Sequence, residues 1–65
     1  MAWYNVNVKQ LVADAELTAD DRQVKPAGKY VFDVADKDGA LDVFHGTVPI
    51  KCLDHFSVEV EREKA

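Results

Sequence analysis

Apolar and polar positions alternate from the start of the chain. Between Ala2 and Gln10, Tyr4, Val6 and Val8 fall on one side, and Trp3, Asn5, Asn7 and Lys9 on the other. Period two with aromatic and β-branched residues predicts a half-buried strand over 2–10. The pattern returns in Lys-Tyr-Val-Phe-Asp-Val-Ala, predicting a second strand over 29–35. Val31 and Ala35 make the second face of that strand partly apolar, which argues for a central place in the sheet. Phe56, Val58 and Val60 alternate with Ser57, Glu59 and Glu61, predicting a third strand over 56–62.

The segments between are less regular. Near Leu11 the alternation changes phase, and the odd positions through Leu17 become apolar, which suggests a bulge or a chain reversal. Residues 18–28 read as a polar connector with at most one helical turn. Thr18 is placed to cap that turn, with Asp21 where a capping-box partner stands, and Lys25-Pro26-Ala27-Gly28 ends it. Pro49 to Asp54 is a connector anchored by Ile50 and Leu53.

Two patterns compete over 36–48. Asp38-Gly39 is a two-residue hairpin signal. Against it, Ala40, Leu41, Phe44, His45 and Val48 recur at helical offsets, Asp36 is a good N-cap, and Gly46 followed by Pro49 suits a helix end. The helix, near 36–46, is the preferred reading. It leads to an α+β fold: a small antiparallel or mixed sheet of three to four strands with one helix on one face, in the order β-β-α-β. The alternative is an all-β hairpin fold. The expected core is Tyr4, Val6, Val8, Phe32, Val34, Phe56, Val58 and Val60, with Leu41, Phe44 and Val48 from the helix. Asn5, Asn7, Ser57, Glu59 and Glu61 line a face open to water.

Composition narrows the class. Sixty-five residues, 48% of them apolar and 31% charged, suit one small globular domain over 1–65. A net charge of −4 opposes binding to nucleic acid or to anionic lipid. The apolar runs are too short for a membrane helix. One cysteine, Cys52, permits no internal disulfide and favours a reducing compartment. The first residues do not read as a signal peptide, nor the last three as a lipidation signal, so a cytoplasmic protein is expected. Arg62 to Ala65 are expected to fray.

Candidate chemistry is sparse. Cys52, His55 and His45, with a carboxylate, hold the residue types of a zinc site, but their spacing matches no zinc signature. The same thiol and imidazoles lack the rigid turn and cleft of a nucleophilic pair, and a chain this short is not expected to enclose a substrate pocket. Asp36-Lys37-Asp38-Gly39 resembles the start of a calcium loop, yet Thr47 stands where a bidentate Glu is required. Three scattered glycines form no phosphate loop. No cofactor, catalytic residue or small-molecule substrate is implied.

The expectation is therefore a non-catalytic interaction or accessory module, working through a strand edge or the open sheet face. The minimal metal or redox protein built on Cys52, His55 and His45 is the alternative. Trp3, Asn5, Asn7 and Lys9 form the candidate contact surface, because tryptophan is enriched at binding hot spots and the first strand is expected at a sheet edge. Its occupant is a protein partner or a second copy, self-association being opposed by the net charge. The charge run from Glu59 to Lys64 reads as a guard on the other edge.

Overall fold

A computed structural model describes residues 1–63. Its elements follow in the order β1 (Ala2–Gln10), a 3₁₀ turn (Asp14–Glu16), α1 (Ala19–Val24), β2 (Gly28–Val34), α2 (Lys37–Thr47), a second 3₁₀ turn (Leu53–His55) and β3 (Phe56–Arg62). The fold is α+β, with one antiparallel sheet of three strands. The expected β-β-α-β order gains a short helix between the first two strands, making it β-α-β-α-β. Lys64 and Ala65, where part of the expected fraying and the end of the charge run fall, lie outside the described residues.

Segment 36–48 is helical. Asp36 caps α2, its side chain accepting from the Gly39 N–H at 2.8 Å, so the Asp38-Gly39 pair lies in a first turn and not in a hairpin. Gly46 does not end the helix. It lies within α2, which runs to Thr47 and finishes in an extended Val48 just before Pro49. The helix covers one face of the sheet through Ala40, Phe44 and Val48, all buried. Of the expected helical stripe, Ala40 is fully buried, while Leu41, expected in the core, is only half-buried. Phe44 is 0% exposed and meets Tyr30 edge-on, ring centroids 5.2 Å apart. Tyr4, Val6, Val8, Leu17 and Phe56 complete the buried cluster, and Phe32, Val34, Val58 and Val60 pack against it.

The sheet order corrects two expectations. β1 lies in the middle, with β2 and β3 on its two sides. The strand expected at an edge is thus paired along both sides, from Ala2↔Val34 to Val8↔Gly28 and from Tyr4↔Arg62 to Gln10↔Phe56. The strand expected at the centre is an edge. β2 and β3 run in the same direction with β1 between them, and α2 carries the chain across from one to the other. Centrality is set by that crossover. Apart from Trp3, the outer face of β1 is polar, because among the described residues the sheet is covered on one side only.

The connectors differ in detail. β1 ends at Gln10 without a bulge; of the odd positions that follow, Leu11 is 60% exposed and Leu17 is buried. α1 closes at Lys25, which adopts the left-handed region at φ 52°, and Gly28, at φ 145°, lets the chain turn into β2 where a side chain would be strained. Ile50 is half-buried, but Leu53 is 57% exposed and anchors nothing. No helix among the described residues is long and apolar enough to cross a membrane.

Candidate interaction surface

The uncovered face of the sheet is built by the odd residues of each strand. The register sets out three rows across it, in the strand order β2, β1, β3: Asp33, Trp3 and Glu63; then Val31, Asn5 and Glu61; then Lys29, Asn7 and Glu59. Lys9 and Ser57 follow at the far end. Trp3 is 55% exposed and Val31 46%. They stand on adjacent strands as diagonal neighbours, within reach of one another for a large aromatic. The four predicted contact residues Trp3, Asn5, Asn7 and Lys9 are thereby brought onto one surface, along its central strand. The half-buried Asn5 places its side-chain oxygen out of solvent with no hydrogen-bond partner among the described residues.

Charge is uneven over this face. β3 contributes Glu59 and Glu61, with Glu63 just beyond its end, while β2 contributes Lys29 and Asp33. The β3 side is acidic and the β2 side is mixed. Val31 and the β2 edge were missed in the sequence, because an apolar residue on the outer face was taken as a mark of centrality.

The sequence-predicted chemical cluster takes another form. Cys52 precedes the second 3₁₀ turn and His55 ends it, while His45 is exposed on α2 with its ring beside that of Phe44. What gathers at the turn is Asp21. This side chain is 0% exposed and accepts from the Lys51 N–H at 2.7 Å and the Cys52 N–H at 3.1 Å. Its own backbone N–H donates to the Thr18 hydroxyl oxygen at 3.1 Å. Thr18 is the cap that was expected, but the return half of the capping box is replaced by a long-range tie to the connector before β3.

These bonds hold the Asp21 carboxyl below its ordinary value near 3.8. The Lys51 N–H is the largest cause; burial opposes it, and Cys52, Thr18 and the nearby His55 add to it. His55 Nδ1 is shielded from solvent and has no hydrogen-bond partner among the described residues. The arrangement is a structural clamp. Its carboxylate oxygens are spent on backbone donors, and Cys52 takes part through its N–H rather than its thiol.

Among the described residues, no group of three or more His, Cys, Asp and Glu is placed to hold a metal ion. An open cleft of about 410 Å³ runs beside α1 and is lined by Gln10, Asp14, Leu17, Asp21, Arg22 and Lys25 among others. Neither Cys52, His55, His45 nor Trp3 lines it. Two acids line it: Asp14 accepts from Gln10 Nε2 at 2.7 Å, and the Asp21 carboxylate is taken up by the Lys51 and Cys52 N–H groups. The chain matches no family model, and neither a curated protein nor a solved structure matches it.

Proposed function

We propose that this chain is a non-catalytic interaction module whose uncovered sheet face and free β2 edge dock a protein partner. The observation that carries the reading is the pair of exposed apolar side chains, Trp3 at 55% and Val31 at 46%, diagonal neighbours on adjacent strands of a face otherwise polar or charged. A large aromatic beside a β-branched residue, rimmed by charge, is the anatomy of a small docking surface. β2 adds a strand edge that is unpaired among the described residues, able to take another strand by main-chain hydrogen bonds.

Photo-crosslinking tests this. A photoreactive residue at position 31 is compared with one at position 43, whose Val43 is 41% exposed on α2, the helix covering the opposite face. In the cells that make the protein, position 31 should give discrete protein adducts that weaken with Trp3→Ser, and position 43 should not. Equal labelling from both positions, or none from position 31, refutes the reading.

A further inference from the structure

The backbone of β2 presents its free hydrogen-bonding groups at particular residues. The Leu11 N–H donates to the His55 carbonyl at 2.8 Å and the Glu63 N–H to the Trp3 carbonyl at 2.9 Å, in the same register as β1 and β3. The odd residues of β1 therefore bond toward β3 and the even ones toward β2. In the β1–β2 register Tyr4 faces Phe32 and Val6 faces Tyr30. The even residues of β2 thus bond inward, and Lys29, Val31 and Asp33 turn their N–H and C=O groups to the free edge. The side chains of these same three residues lie on the uncovered face.

Opposite charges stand at equal distances on either side of the midpoint of this edge. Val31 is the middle residue of Gly28–Val34, with Lys29 two before it and Asp33 two after. We infer that the partner of this surface is a second copy of the chain, joined antiparallel along β2 on a twofold axis at Val31. This rests on the reading above, in which the sheet is the working surface.

Every position in that register is complementary. Lys29 of each chain faces Asp33 of the other, twice over, and the two Val31 side chains meet on the axis. On the helix-covered face Tyr30 meets Phe32, both half-buried in the single chain. Lys29, Val31 and Asp33 each exchange their main-chain bonds with the other copy, and the two sheets become one of six strands. The two Val31 residues and their Trp3 neighbours then form one apolar strip across the joint. A C₂ contact requires such self-complementarity.

The opposite edge lacks it. β3 paired with itself about Glu59 sets that glutamate against its copy, and about Val60 it sets Glu59 against Glu61. Like charges directly opposed disfavour pairing. Those two registers are therefore disfavoured along β3, and the pairing is assigned to β2. A joint of one strand pair is small, below the roughly 1,200 Å² of stable complexes, and belongs to concentration-dependent association.

The test is a charge swap followed by sedimentation velocity. Lys29→Asp sets two acids against two acids in its own dimer, and Asp33→Lys sets lysines against lysines. A mixture of the two variants restores both pairs in a heterodimer. Turning two attractive cross-strand pairs repulsive weakens dimerisation on the order of tenfold to hundredfold. Wild type should sediment as a dimer at millimolar concentration, each variant alone as a monomer, and the equimolar mixture again as a dimer. A variant that misfolds is not rescued by mixing, so rescue separates pairing from stability.

A monomeric wild type, or dimerisation unaffected by either single change, overturns the inference. So does a mixture that stays monomeric while both variants keep the wild-type far-ultraviolet spectrum. If position 31 crosslinks to a different protein while wild type stays monomeric, the second copy is wrong and the docking surface stands. If neither contact forms, both readings fall.

Discussion

Phe44 holds the helix to the sheet, and its removal is the sharpest test of the fold. Its side chain is 0% exposed, and it supports Tyr30 on the edge strand at a centroid distance of 5.2 Å. Tyr30 in turn donates its hydroxyl to the Pro26 carbonyl at 2.9 Å, tying the connector down. Phe44→Ala loses the buried ring and leaves a cavity, a cost of about 3–5 kcal/mol. The edge-on aromatic pair adds about 0.5–1.5 kcal/mol beyond area. A domain of this size has only about 3–5 kcal/mol in total, so Phe44→Ala should be largely unfolded without denaturant. Phe44→Leu keeps most of the volume but loses the aromatic pair, and should cost about 1–2 kcal/mol. With a urea slope of roughly 1 kcal/mol/M, its midpoint should fall by about 1–2 M. Circular dichroism through a urea titration reads both variants, with Val43→Ala as the exposed control, expected within ~0.5 kcal/mol of wild type. A cooperative Phe44→Ala transition near the wild-type midpoint would show that α2 does not pack on the sheet through this ring.

Three further outcomes follow from the connectors and helix ends. The depressed Asp21 carboxyl makes a contribution that is present above its unfolded value near 3.8 and lost as pH falls through the lower folded value. Urea midpoints between mildly acidic and strongly acidic pH should therefore fall more steeply for wild type than for Asp21→Asn, and parallel curves would remove the clamp. Thr18→Ala deletes the acceptor of the Asp21 N–H and should cost about 1 kcal/mol by urea unfolding. Gly46→Ala should gain about 0.5–1 kcal/mol, because the residue is helical and a Cβ there meets nothing within 4 Å.

The strands and the long helix were legible because each carries its own period. Tyr4, Val6 and Val8, or Phe56, Val58 and Val60, point to one face whatever the rest of the chain does. The cap of α2 was legible for the same reason, since Asp36 and Gly39 are neighbours in sequence. Sheet order was not. It depends on where the crossover through α2 sets β3 down, and Val31 misled because an exposed apolar residue on an outer face reads like a buried one. The Asp21 clamp was hidden because its partners lie some thirty positions away. Trp3, Asn5, Asn7 and Lys9 do share the uncovered face of the sheet, but they were assigned to an edge that β1 does not have. Lys29 and Asp33 gain meaning only once β2 is known to be the edge and Val31 its midpoint.

Amide hydrogen exchange along β2, in dilute and in millimolar solution, tests the central claim most directly. The sheet order requires Tyr30 and Phe32 to be protected at both concentrations, since they bond to β1. Lys29, Val31 and Asp33 should exchange freely when dilute and become protected as concentration rises, because the edge that is open in one chain is closed by a partner. Protection of these three amides in dilute solution would contradict the open edge, and free exchange at every concentration would contradict its use for pairing.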